Sequence, residues 1–189
     1  MTVKTDISRF DIHDELTAPE GSVKILKGVK TGGEISKFVG VLAGAPAALR
    51  AYTRMRHELR GGALPEATRE RIALAVAERR GDTYSIAHYA RSARNAGLGL
   101  DEVSRARAFT SSDPREEALL AFLRSVLDTD GRPAAHMAEE AREHDWTDEQ
   151  LLEAVAHVAL SEFQTLISNA AALPQDQSDP TVLPAAAAA

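Results

Sequence analysis

The chain of 189 residues is long enough to bury one real core, and it contains no cysteine. Disulfides, thiolate metal sites and thiol redox chemistry are excluded on that count. A formal charge of −6 argues against a general nucleic-acid or anionic-membrane binder, and an alanine- and aliphatic-rich composition with only 5% aromatics favours an all-α protein.

In chain order, residues 1–33 read as an irregular N-terminal arm that can hold a short helical turn. Phe10, Ile12, Leu16, Val23, Ile25, Leu26 and Val29 are scattered among prolines and glycines there, so the arm is expected to drape over the core or a neighbouring subunit. A helical domain follows over residues 34–173. Its first helix is predicted over Glu34–Gly44, and its second runs from Ala45-Pro46 to Arg60, ended by Gly61-Gly62.

Pro65–Leu98 reads as a helical hairpin. Pro65 suits a first turn, the run from Ile72 to Ala77 suits a buried helix, and Arg79 and Arg80 complement the dipole before Gly81 ends it. Asp82 is a good N-cap for the returning helix, which closes at Gly97-Leu98. Glu70, Asp82, Tyr84, Ser85, His88 and Tyr89 are the polar exceptions on this small, apolar ground.

A short amphipathic helix is expected over Asp101–Phe109. Asp113-Pro114 with Glu116 and Glu117 launches the next, which ends at Gly131-Arg132-Pro133. Ala134–His144 reads as a weaker helix. Thr147 and Gln150 then form a capping box, with Trp146 placed to staple onto Leu151, and the last helix runs to about Leu173. Residues 174–189 have the composition of a disordered tail. No apolar stretch approaches the roughly 20 residues of a membrane span, and the first residues lack a signal-peptide core. A cytoplasmic protein with no membrane or nucleic-acid partner is therefore expected.

The segments RERIALAVAE, HYARSARNAGL, DPREEALLAF and WTDEQLLEAVAHVAL, in this order, resemble the alkylhydroperoxidase D-like family, also called the carboxymuconolactone decarboxylase family. The resemblance spans roughly Gly44–Asn169. It implies an all-helical fold assembled as a homo-oligomer, a trimer or hexamer, with the active site at the hairpin. In the family's peroxidase branch a glutamate precedes a Cys-x-x-Cys-x-x-x-His motif. The glutamate is matched by Glu70, but the cysteine positions fall on Asp82 and Ser85, and the histidine position falls on Tyr89. Serine and aspartate cannot pass electrons as a thiol pair does, so peroxidase activity should be absent. The decarboxylase-like branch has a Tyr-Glu-x-x-x-His arrangement. Tyr84 matches its tyrosine, Ser85 departs from its glutamate, and His88 lies one residue early, about 100° around the helix.

Glu70, on an apolar face and within reach of Tyr89 or His88 across the hairpin, is the candidate acid or base; the plain alternative is an exposed carboxylate among Arg69 and Arg71. Tyr84, His88 and Tyr89 would orient substrate and stabilise oxyanion charge, or else pack as an amphipathic interface. Asp82 and Ser85 are candidate substrate contacts, or simply cap the helix. His57, with Arg54 and Tyr52, lies on the preceding helix, lining the same cavity or facing solvent. Glu153, His157, His136 and His144 have no metal-ligand spacing, and no phosphate loop or dinucleotide fingerprint occurs, so neither metal nor cofactor is expected. The expectation is a cofactor-free acid–base enzyme, a lyase or isomerase for a small-molecule substrate. The rival expectation is a non-catalytic binding scaffold on the same fold.

Overall fold

In the computed structural model, residues 8–29 and 34–175 are described, and among them nine helices and no strand occur. They are α1 (Glu20–Gly28), α2 (Lys37–Leu42), α3 (Pro46–Arg60), α4 (Glu66–Arg79), α5 (Thr83–Asn95), α6 (Leu100–Arg107), α7 (Pro114–Asp128), α8 (Ala135–Glu143) and α9 (Asp148–Ala171). Residues 1–7, 30–33 and 176–189, which include most of the expected tail, lie outside the described residues.

Helices α5, α6 and α9 pack directly on α4. Its run from Ile72 to Ala77 is buried without interruption, and Thr68 and Arg71 are buried with it. Ile72, Ala75 and Val76 join a core with α7 and α9, while Leu74 and Ala77 join a second core with α5 and α6. A helix covered on opposite faces does not read as amphipathic. Full burial of a side chain such as Ile72 or Leu74 contributes about 1.5–3 kcal/mol.

The hairpin closes as its residues dictate. Gly81 adopts φ +60°, a left-handed conformation that costs glycine little, and the Asp82 N–H returns to the Ala77 carbonyl at 3.0 Å. Asp82 caps α5 by accepting from the Ser85 N–H at 3.2 Å. The helix ends with Gly97 at φ +96° and the Leu98 N–H bonded to the Ala93 carbonyl at 3.0 Å. Pro65 is the cap of α4 rather than its first residue. The capping box of Thr147 and Gln150 forms at α9, and Trp146 and Leu151 share one core.

The N-terminal arm differs from expectation. Glu20–Gly28 is a true helix, with Glu20 in its first turn and Lys27 in its last, and it packs on α3 through Ser22 and Leu26. The periodicity was masked because Ser22 occupies a core position, where its hydroxyl donates to the Ala43 carbonyl at 2.7 Å. The segment before it lies on its own chain: the Arg9 N–H donates to Ala171 and the His13 N–H to Gly40. Gly40 is required there, since a Cβ would stand 2.7 Å from Ile12 and 2.9 Å from the His13 carbonyl.

A buried ionic cluster ties α4 to α6 and α7. Arg71 lies 3.3 Å from Glu102 and 3.6 Å from Glu116, and Thr68 donates to Glu116 at 2.6 Å. Burial raises the Glu116 carboxyl despite Thr68 and Arg71. Burial also opposes ionisation of Glu102, but hydrogen bonds from Ser112 and Ser111, with Arg71, outweigh it and hold this carboxyl down to about 2. Arg71→Met removes the one cation between two carboxylates and should cost about 3 kcal/mol in urea denaturation. An unchanged midpoint would mean that the cluster does not hold the helices. Because its folded value is depressed, Glu102 adds stability in full above its ordinary range and loses it as pH falls toward 2. The stability gap between the wild type and Glu102→Gln should therefore narrow on acidification through that window. A constant gap would contradict the linkage.

Candidate functional site

Four helices turn one polar strip each toward a common cavity of about 100 Å³. The spacing on each helix is that of a single face: Arg56 and Arg60 on α3, Glu66, Arg69, Glu70 and Ala73 on α4, His88, Tyr89 and Ser92 on α5, and His157, Leu160 and Ser161 on α9. A smaller cavity of about 80 Å³ adjoins it and shares Arg56, His88 and Tyr89. Its further lining includes Phe38, Tyr52, Tyr84 and Gln164.

Glu70 is half-buried, and its Oε2 is buried with no hydrogen-bond partner. Burial raises its carboxyl above the usual range. A hydrogen bond with Ser92 and the charges of Arg56 and Arg69 pull the other way, while Glu66 adds to the rise. A carboxyl so placed keeps its proton to higher pH than an exposed one and can release it to a bound molecule.

Tyr89 makes a different bond from the expected one. Its hydroxyl donates to Gln164 Oε1 at 2.7 Å, and the Tyr52 hydroxyl donates to the same oxygen at 3.0 Å. One amide oxygen accepts two hydroxyls because each of its lone pairs takes one. Burial pushes the Tyr89 hydroxyl well above its ordinary value, helped by Tyr52 and Glu70, and burial also raises Tyr52. Both phenols are neutral donors. The Glu70 carboxylate is close enough to bias Tyr89 electrostatically, but its hydrogen bond goes to Ser92. His88 meets Tyr89 edge-on, with ring centroids 5.1 Å apart.

The structure therefore gathers Glu70, His88 and Tyr89 at one cavity and sets Tyr84 in the neighbouring one. Tyr84 is only 5% exposed, and its hydroxyl accepts from the Phe38 N–H at 3.4 Å. The three expected substrate contacts are not brought there. Asp82 is buried, capping α5 with one oxygen and accepting from the Ser168 hydroxyl of α9 with the other; it borders a separate surface depression with Thr83 and Leu173. Ser85 is fully buried and borders neither cavity. His57 is exposed and faces away, because it lies one residue, about 100°, beyond Arg56.

Arg56, Arg60, Ser92, His157 and Gln164 are among the lining residues that sequence reasoning did not place at the site. The available signal was spacing: Arg56 and Arg60 at i,i+4, and His157, Ser161 and Gln164 as polar residues at i, i+4 and i+7 on one face of the last helix. Among the described residues no three His, Asp or Glu side chains converge as a metal site requires. No helix there is long and apolar enough to cross a membrane.

The sequence pattern of the carboxymuconolactone decarboxylase family matches residues 46–125, from the start of α3 into α7. Three of the four cavity walls lie within that segment, and α9 lies outside it. No curated protein matches the chain in sequence. Among solved structures, an uncharacterized peroxidase-related protein from Ralstonia eutropha JMP134, described as an alkylhydroperoxidase AhpD core, superposes with a TM-score of 0.79 at 21% identity, covering 90% of this chain and 93% of that one. A peroxidase-related protein from Silicibacter sp. TM1040 gives 0.77 at 17% identity, covering 94% and 96%. A variant of the debrominase Bmp8 in complex with 2,3,4-tribromopyrrole gives 0.71 at 16%, covering 94% and 95%. These likenesses carry the fold. The chain is all-α on the AhpD-like fold, contains no cysteine, and over residues 46–125 matches the pattern of the carboxymuconolactone decarboxylase family.

Proposed function

We propose that this chain is a cofactor-free lyase or isomerase that moves protons on a small organic acid or polyketide-like molecule, by decarboxylation, dehydration or tautomerisation. The observation that carries this reading is Glu70: a carboxyl raised by burial, with an unpartnered oxygen, on a cavity it shares with His88 and Tyr89. Glu70 is the proton carrier. Tyr89, kept neutral, and His88 orient the substrate and stabilise developing oxyanion charge, with Tyr84 in the adjoining space. Arg56 and Arg60 supply the positive field that an organic acid needs. A debrominase among the fold neighbours is consistent with enzymes on this scaffold. Thiol peroxidase activity is not part of the reading, since the chain has no cysteine.

A second reading, a binding scaffold without catalysis, is favoured by Tyr84, whose ring is almost wholly buried in a core cluster with Phe38 and Tyr52. The two separate on proton exchange. Small unsaturated carboxylic acids and lactone acids incubated in D2O should gain deuterium at acidic C–H positions, and Glu70→Gln should slow this by about 100-fold. Absence of any exchange or turnover, or equal rates for the variant, would leave the scaffold. With dithiothreitol as reductant, cumene hydroperoxide should be consumed no faster than in buffer. Measurable turnover there would overturn the non-redox reading.

The proposed assembly is a homo-oligomer, a trimer or hexamer. It is supported by the outer face of α9, where Leu152 and Leu166 are 73% and 62% exposed with Ala159 exposed between them. Light scattering should give a trimer or hexamer for the wild type and a smaller species for Leu152→Glu/Leu166→Glu. A monomeric wild type would refute the assembly.

A further inference from the structure

Glu70 is not alone as a buried, unpartnered polar group on this cavity. His157, from α9, lines it as well; the residue is 7% exposed, and its Nε2 has no hydrogen-bond partner. The ring hydrogen-bonds the Leu59 backbone on its other side, which places the N–H there and leaves Nε2 of the neutral ring as a bare lone pair. Glu153, one turn earlier, sets Oε1 3.7 Å from Nε2. That carboxylate is held in place by the Ala63 N–H at 2.6 Å and the Leu64 N–H at 3.1 Å. That carboxylate favours the imidazolium, so a proton arriving at Nε2 gains a stabilising anion.

The groups facing His157 come from every helix around it: Arg56 and Arg60 on α3, Glu66, Arg69 and Glu70 on α4, His88 on α5, and Glu153 on its own helix. Burial is the strongest influence and pushes the imidazole below its ordinary value. Arg69 acts in the same sense, while Glu153 and the Leu59 carbonyl oppose it. The ring is neutral, and so a competent base, at neutral pH.

We infer that His157 Nε2 is the second proton-transfer group of this cavity, the base that complements Glu70 as the acid. The inference rests on the acid–base reading proposed above. In the step it implies, a substrate proton passes to Nε2 and its bonding electron pair stays on the substrate. The Glu70 carboxylic acid gives its proton to a different substrate atom. Imidazolium and carboxylate remain, and the proton returns from the first to the second through solvent, so atoms and charge balance without a co-reactant. Two unlike groups, one raised and one lowered by the same burial, are what such a relay requires. The base lies on α9, outside the family-matched segment.

The test is a titration of the whole protein by long-range ¹⁵N–¹H correlation of its six histidines, with ¹³C detection of the Glu70 carboxyl. Crotonate, a small unsaturated carboxylate, is the probe. His157→Gln identifies the signal, and through-bond assignment serves if that variant does not fold. At neutral pH the Nε2 resonance of His157 should be that of an unprotonated nitrogen, with a midpoint below the ordinary imidazole range. Glu153→Gln should lower the midpoint further. Crotonate should shift both the His157 and Glu70 signals. A protonated Nε2 at neutral pH, or a probe response at Glu70 alone, overturns the inference and leaves the acid–base reading standing. Silence at both overturns both, and a response at His157 alone removes Glu70 as its partner.

Discussion

Helix α4 has no solvent face along Ile72–Ala77, and the rest of the molecule follows from that burial. Leu74 and Ala77 are covered by α5 and α6, and Ile72 and Val76 by α7 and α9. Its polar side chains must find partners inside the protein, at a cost of several kcal/mol for any ion that does not. Arg71 and Thr68 find theirs in Glu102 and Glu116. Glu70, on the neighbouring face, finds Ser92 for one oxygen and nothing for the other. The same constraint thus produces a satisfied structural cluster on one side of α4 and an unsatisfied acid on the other. A structural role explains the first and not the second.

Most of the helical frame was legible because the chain marks its breaks with strong local chemistry. Gly81-Asp82, Gly97-Leu98, Asp113-Pro114 and Thr147 with Gln150 each bound a helix end where the residue types predict it. Helix α1 was not legible: Ser22 sits at a core position, and Gly21 and Gly28 dilute a nine-residue pattern. The site was readable only in part, for a related reason. Glu70 stands out against aliphatics on its own helix, so local sequence suffices to suspect it. Gln164 and His157 acquire their meaning from Tyr52, Tyr89 and Leu59, which are distant in the chain and adjacent only in the fold.

Two of the positions to which the family resemblance points do other work here. The first cysteine position is Asp82, which caps α5 and accepts from Ser168, so it fastens the hairpin to α9. The second is Ser85, wholly buried. An acidic cap with both oxygens bonded is a joint, and a joint has to stay fixed. Proton chemistry needs a group whose charge can change without loosening the fold. That distinction moves the proposed chemical centre from the start of α5 to the cavity deeper along the hairpin, where Glu70 has an oxygen free and Tyr89 is anchored by Gln164.

The cavity's electrostatics follow from how unequally burial treats its groups. Desolvation disfavours every charged form, so it raises Glu70, Tyr89 and Tyr52 and lowers His157. The phenols are pushed further from neutrality and become fixed neutral donors. The carboxyl and the imidazole are pushed toward each other. Arg56 takes part on the opposite side, favouring ionised Glu70 and drawing the Tyr52 and Tyr89 hydroxyls back down. An anion bound beside Arg56 would offset that influence and leave Glu70 more readily protonated. Substrate binding would thereby favour the acid form, because the guanidinium that attracts a carboxylate is also one that favours ionised Glu70.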